Sequence, residues 1–390
     1  MSSSTLRLES LEYDENDNNQ EYGILSNGSN SIHTDWSVSS DGSSLLHKST
    51  GVYITQEGTR GLDSEYGLGD VLVSLKDFDV NPTPLGHGRS SVVYNAIHKQ
   101  SGKAVAIKDI YVGDLIHQTQ LSAEIHSWRL TSYCPLLVQF LGAFIKPNKN
   151  VVCLIMEYMD FGTLSDILYK NINKPNTNFI GIDERYLKFI TMQIVDGLVY
   201  LHGNNRIHRD VKLNNILINQ DGAVKISDFG ISKLIDKTTA KDSNKNISTF
   251  VGTQIYMSPE RLQGKSYSFS SDIWSLGICL FEMAVGIHPF KSLSLFDMVH
   301  ILCEDDNSDN CYNNNKQHFL DKITKKYPLP DNLTKNSDFY SFLKCCLEID
   351  PAKRSTALEL QKSNWIIQGT CNRLEFLDWL INIQKHSSSL

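Results

Sequence analysis

One stretch narrows the choice of folds more than any other: "IHRDVKLNNIL" at residues 207–217, followed by "SDFG" at 227–230. It sets Asp210, Lys212 and Asn215 within six positions, and Asp228 follows thirteen residues after Asn215. An unpaired aspartate, a lysine and an amide so close together would make a poor core, because each loses water that apolar neighbours cannot replace. Each has a use in phosphoryl transfer. A carboxylate can orient a hydroxyl and accept its proton, and a lysine can sit near the moving phosphate. The amide oxygen and the Asp228 carboxylate suit a hard Mg²⁺ ion, whose shell is completed by water and nucleotide phosphates. Either motif could arise by chance alone; both together, in this order and spacing, do not.

Two motifs upstream fit the same chemistry. In "LGHGRSSVVY", residues 85–94, Gly86 and Gly88 let backbone amides approach an anion with no Cβ in the way. A glycine pair in an ordinary turn is the plain alternative. A dinucleotide site would need a helix directly after the glycines, and here a strand-like run follows instead, which suits a hairpin lid over a nucleotide. Ser91 stands where a third glycine is usual. In "KAVAIKDI", Ala104, Ala106, Lys108 and Ile110 share one strand face by the period of two. A lysine there is either an edge guard or a cation for phosphate oxygens that needs an acidic partner. Glu124, in the helix-like "QLSAEIHSWRL", is the candidate partner.

The texture of the chain predicts an α+β molecule with a small β-rich lobe and a larger helical one. Residues 1–50, rich in Ser, Asn, Asp and Gly, are expected to be disordered, and 51–76 to form an approach segment. A globular domain is expected over 77–367 and a tail over 368–390. Leu187, Ile190, Ile194, Leu198 and Leu201 hold helical spacing, and Gly203 marks a stop. "EDDNSDNCYNNNKQ", residues 304–317, reads as a surface loop. A net charge of −7 argues against nucleic-acid and anionic-membrane binding. No apolar run reaches the roughly 18 residues of a membrane span, and the start shows neither a secretory signal nor the glycine needed for myristoylation. Eight scattered cysteines without metal-ligand spacing suit a reduced cytoplasmic protein, one that also enters the nucleus or does not.

These motifs resemble the eukaryotic protein kinase domain over residues 77 to about 367. The resemblance implies a bilobal fold with one regulatory helix in the small lobe and ATP in the cleft. It makes Asp210 the catalytic base, Lys212 its support, and Lys108, paired with Glu124, the holder of the α- and β-phosphates. Asn215 and Asp228 would bind Mg²⁺. Leu85, Gly86, His87, Gly88, Arg89, Ser90 and Ser91 would form the lid, and Val93 and Ala106 would cover the adenine. Met156 would stand behind it, with Glu157 to Met159 as the connecting hinge. Glu260 is expected to pair with Arg354, and Asp272 to anchor the catalytic loop.

"MEYMDFGTLSDIL", "YMSPERLQG" and "SDIWSLGICLFEMAVGIHPF" are similar to MAP kinase kinases in particular. That resemblance implies phosphorylation of both Thr and Tyr in a MAP kinase, and activation by an upstream MAP kinase kinase kinase. It makes "SNKNISTFVGT", residues 243–253, the activation segment, with Thr249 the dominant phosphosite, Ser243 the second and Ser248 a substitute. Arg209 would receive the phosphate, with Lys233 or Lys237 assisting, and Thr253 would stay unmodified. Lys245 stands four before Thr249, where animal members carry a hydroxyl; Ser243, six before, has the plant spacing. Arg7 is nearly alone among acids, so no basic docking cluster is placed. The tail "NRLEFLDWL" resembles the family's docking segment for upstream kinases, the alternative being plain packing on the large lobe. The rival functions are another Ser/Thr kinase of such a cascade and a pseudokinase scaffold.

Overall fold

The computed structural model describes residues 36–39, 43–61, 71–88, 91–112, 115–146, 150–172, 181–229, 233–234, 254–266, 268–291, 293–303, 318–334, 337–369 and 371–387. The expected α+β architecture of a β-rich lobe followed by a helical lobe is the one observed. The small lobe holds a five-stranded antiparallel sheet of β5 (Phe78–His87), β6 (Ser91–His98), β7 (Ala104–Tyr111), β8 (Phe140–Ile145) and β9 (Val151–Glu157). Its order is β5-β6-β7-β9-β8. Pro82 and Pro84 lie on the edge strand β5, where a missing N–H breaks no ladder, and the register shifts around Pro84. Helix α1 (Leu115–Thr131) packs against this sheet and carries Glu124.

Within residues 1–50 the structure departs from expectation. Residues from Trp36 on belong, together with the approach segment up to Arg60, to a four-stranded antiparallel meander of β1 (Trp36–Val38), β2 (Ser44–His47), β3 (Tyr53–Thr55) and β4 (Gly58–Arg60). Disorder through residue 50 is therefore wrong for residues 36–39 and 43–50. Trp36, Leu45, Val52 and Ile54 are buried, which offsets the entropy that the polar composition alone would leave uncompensated. Gly58 is needed where it stands: at φ 122°, a Cβ would lie 2.1 Å from the Val71 carbonyl oxygen.

The large lobe contains α2 (Leu164–Ile172), α3 (Glu184–Gly203), α4 (Pro259–Leu262), α5 (Ser270–Val285), α6 (Leu295–Cys303), α7 (Phe319–Lys326), α8 (Asp331–Thr334), α9 (Ser337–Cys346), α10 (Ala357–Gln361), α11 (Asn364–Ile367) and α12 (Arg373–Ser387). Short strands β10 (Gly162–Thr163), β12 (Ile216–Ile218) and β13 (Val224–Ile226) form one ribbon, and β11 (Arg206–Ile207) pairs with β14 (Lys233–Leu234). In α3 the Leu187, Ile190, Ile194, Leu198 and Leu201 stripe is buried. Asp183 caps the helix by accepting from the Arg185 N–H, and Gly203 is its last residue. Helix α5 is buried along almost its whole length, as a central core helix must be, with Asp272 and Glu282 among its mainly apolar residues.

The tail packs on the large lobe. Phe376, Leu380 and Ile383 of α12 are fully buried in the large-lobe core, and Trp379 stacks on Tyr186 at 4.6 Å. The segment is part of the lobe, as the packing alternative had it; Leu374 alone of the expected apolar group is strongly exposed, at 73%. The polar interval 304–317 lies outside the described residues.

Candidate active site

Lys108 reaches the site because β7 alternates: the strand buries it among small and apolar neighbours, where a lone ammonium would be costly. Its Nζ donates to Glu124 Oε1 at 2.5 Å and to Asp228 Oδ1 at 2.9 Å. Burial opposes the charge on Lys108, but the Asp228 and Glu124 carboxylates outweigh it and hold the pKa above the ordinary lysine value. For Asp228 burial is likewise outweighed, chiefly by Lys108, and its pKa is lowered. Burial pushes the Glu124 carboxyl up, with Lys108 opposing and Asp228 adding to the rise.

The loop after β11 is held by Asp272, from the first turn of α5 and only 1% exposed. It accepts the backbone N–H groups of His208 and Arg209 at 2.8 Å each, and its carboxylate is 2.9 Å from His202 Nε2. Those contacts fix a backbone that would not hold itself at Arg209, whose φ is 72°; Asp228, on the neighbouring segment, is also in the left-handed region at φ 65°. His208 accepts the Asp210 N–H at Nδ1 and donates from Nε2 to the Ser227 carbonyl at 2.9 Å. Ser227 in turn donates from both N–H and Oγ to the Asn215 carbonyl. His208 and Ser227 thus tie the Asp210 loop to the Asp228 segment. The sequence reading gave neither a role, although His208 stands in the quoted motif.

Within the loop, Lys212 Nζ donates to Asp210 Oδ2 at 2.7 Å, and Asn215 Nδ2 donates to the same oxygen at 2.9 Å and to the Asp210 carbonyl at 2.8 Å. The other carboxylate oxygen, Asp210 Oδ1, is buried without a hydrogen-bond partner among the described residues. The Asn215 nitrogen is spent on Asp210, so its oxygen is the atom a cation would take. Among the described residues no group of three or more His, Cys, Asp or Glu side chains could hold a metal. A cation between Asn215 and Asp228 would therefore draw most of its shell from phosphate and water, the usual habit of Mg²⁺.

The cleft is completed by the five-stranded sheet. Ala106 is in register with Met156, and Val93 with Lys108. Leu85, Gly86, His87 and Gly88 are exposed at the end of β5, and the Gly88 N–H donates to the Ser91 carbonyl at 2.7 Å. Met159 is buried beyond the hinge. The Glu157 side chain is already engaged: Lys225 donates to both of its oxygens at 2.7 and 2.8 Å, and the Gln139 N–H to one of them. Only its backbone is left for a ligand. Phe229 is buried with its ring edge-on to His208. Arg89, Ser90, Lys237, Ser243, Ser248, Thr249 and Thr253 lie outside the described residues, as does the side chain of Lys233.

A family model described as protein kinase domain matches residues 80–366. Among curated proteins, the chain is 34% identical over 300 residues to Mitogen-activated protein kinase kinase 3 of Arabidopsis thaliana, covering 77% of this chain and 52% of that protein. It is 40% identical over 220 residues to Dual specificity mitogen-activated protein kinase kinase 1 of Dictyostelium discoideum, covering 56% and 31%. It is 33% identical over 327 residues to Mitogen-activated protein kinase kinase SIPKK of Nicotiana tabacum, covering 84% and 83%. The chain belongs to the MAP kinase kinase family of protein kinases. The match spans about half the length of the Arabidopsis relative.

In this kinase domain the second expected ion pair is also formed. Arg354 Nη1 and Nη2 donate to the two oxygens of Glu260 at 2.9 and 3.0 Å.

Proposed function

We propose that the chain is an ATP-dependent dual-specificity kinase that phosphorylates Thr and Tyr in the activation loop of a MAP kinase. The observation that carries this reading is the meeting of Lys108, Asp210, Asn215 and Asp228, in which the buried Asp210 Oδ1 has no hydrogen-bond partner among the described residues. A buried carboxylate oxygen without a donor is costly, and an incoming substrate hydroxyl would satisfy it.

On this reading the Asp210 Oδ1 accepts the hydroxyl proton as the hydroxyl oxygen attacks the γ-phosphorus and ADP leaves. Lys212, held against Asp210, stabilises charge on the phosphoryl group in transfer. Lys108 binds the α- and β-phosphates, with Glu124 keeping its ammonium in place. Gly86 to Ser91 cover the phosphates, and Val93, Ala106 and Met156 enclose the adenine beside the Glu157–Met159 backbone. Asn215 and Asp228 supply oxygens to Mg²⁺, which when bound neutralises phosphate charge. Incubation with ATP–Mg²⁺ and a panel of inactive MAP kinases, followed by phosphosite mapping, tests the reading. Phosphate on both the Thr and the Tyr of one activation loop is expected; phosphate on Ser or Thr alone, or none, overturns it.

Regulation follows from the loop between Asp228 and Ser258. A phosphate brings about −1.5 to −2 charges and three acceptors, and each charge-assisted hydrogen bond is worth about 1.5–3 kcal/mol. Switching a loop from mostly off to mostly on takes about 5.5 kcal/mol, so two phosphates suffice where one is marginal. Thr249 and Ser243, with Ser248 as substitute, are the proposed targets of an upstream MAP kinase kinase kinase, and Arg209 their partner. Thr249→Ala with Ser243→Ala should abolish activation by that kinase; full activation of the double variant would place the switch elsewhere.

A further inference from the structure

The small sheet of residues 36–60 contributes nothing to the site, yet it shares a core with the helix that carries Glu124. Trp36, Leu45, Val52 and Ile54 pack with Leu121 and Ile125 of α1 in one buried cluster. Polar contacts fix how they meet. Trp36 Nε1 donates to Ser122 Oγ at 2.7 Å and to the Gln118 carbonyl at 3.2 Å. The buried His47 ring stands edge-on to His126 at 4.8 Å, and Ser49 Oγ is 3.4 Å from His126 Nε2.

Gln118, Ser122 and His126 recur every four residues and so form one stripe along α1. Glu124 is two residues from Ser122, which at 3.6 residues per turn puts it about 200° away around the helix. The helix is therefore gripped from opposite sides, by Trp36 on one and Lys108 on the other. The far end of the small sheet is pinned to the five-stranded sheet. The fully buried Thr59 hydroxyl accepts from the Ala143 N–H at 2.9 Å and donates to the Ala143 carbonyl at 2.8 Å, capping edge strand β8.

We propose that residues 36–60 are a built-in brace that sets α1 where Glu124 can reach Lys108, with Trp36 as the positioning residue. The proposal rests on the phosphotransfer reading of that pair. A helix held on one face alone can roll about its axis, and a roll that swings Glu124 away frees Lys108 from its partner. The brace takes the roll away by a hydrogen bond on the opposite stripe. Any population of rolled helix lowers the competent fraction in proportion.

The test uses the full chain carrying Trp36→Phe, which keeps an aromatic ring but removes the indole N–H and the second ring, and Ser122→Ala, which removes one of the two acceptors. Each should lower kcat for MAP kinase phosphorylation by about 5-fold, the scale of one net hydrogen bond, while KM for ATP stays within about twofold. The double variant should lose no more than Trp36→Phe alone, since Ser122→Ala removes one of the two contacts that Trp36→Phe removes. In a Glu124→Gln background, Trp36→Phe should have no further effect. Amide hydrogen exchange should quicken across residues 115–131 in Trp36→Phe and stay unchanged in α5. An unaltered kcat, the same added loss in the Glu124→Gln background, or unaltered exchange in α1 each overturns the brace. If the parent chain transfers no phosphate, the phosphotransfer reading falls, and the exchange result alone decides whether Trp36 holds the helix.

Discussion

Each lobe deeply buries a cation–carboxylate pair, Lys108–Glu124 in the small lobe and Arg354–Glu260 in the large one, and the two are built differently. In the large lobe all five guanidinium donors of Arg354 are used: two on Glu260, and one each on the carbonyls of Glu348, Ser270 and Ile349. Its guanidinium also lies 5.2 Å over the Trp274 ring, and Ser271 Oγ adds a donor to Glu260. In the small lobe Lys108 places two of its three donors on Glu124 and Asp228. Protonation follows suit. Burial raises Glu260 but Arg354 outweighs it and the carboxyl ends below its ordinary value, whereas Glu124 ends above its own. A closed pair holds a fold together. An open one, next to the unpartnered Asp210 Oδ1, is set to take a substrate.

Breaking the closed pair should have the largest effect. Arg354→Met strands a buried carboxylate that favours its charge, and should cost about 3–5 kcal/mol in urea unfolding. Lys108→Met should cost clearly less stability, because Glu124, already raised by burial, can take a proton. It should still slow phosphoryl transfer by at least about 100-fold. Equal destabilisation by the two variants would erase the distinction.

A third buried carboxylate sharpens the rule. Glu282 accepts the Tyr256 hydroxyl at 2.5 Å and has no cation partner among the described residues, so burial raises its pKa to about 7. A raised folded-state value gives stability that is complete below the unfolded value near 4.5 and is lost as pH rises through about 7. Between pH 5 and 8 the melting temperature of the parent should therefore fall more than that of Glu282→Gln, by about 2–4 °C. Parallel pH profiles would mean that Glu282 does not titrate in this range.

The site was legible in the sequence wherever its parts are close together in the chain. Asp210, Lys212 and Asn215 sit on one loop, and the strand period alone turned Lys108 inward. Glu124 was legible only as a candidate partner of Lys108 on a helix-like segment, and the Glu260–Arg354 pair, spanning a longer gap, came from family resemblance rather than from spacing. The brace was not legible. Its strands are three or four residues long, too short to show alternation, and Trp36 meets Ser122 86 positions away. A Ser- and Gly-rich composition hid four buried apolar residues. The tail showed its apolar cluster plainly, but only Tyr186 and Phe189, in a distant helix, reveal that Phe376 and Trp379 face inward.

The open half of the comparison turns on Asp210, whose Oδ2 is held by Lys212 and Asn215 while Oδ1 waits for a donor. The most direct measurement is phosphoryl transfer to a MAP kinase by purified Asp210→Asn protein, with urea unfolding measured alongside. The account predicts a rate lower by at least about 100-fold and an unfolding midpoint close to the parent's; undiminished turnover at an unchanged midpoint would contradict it.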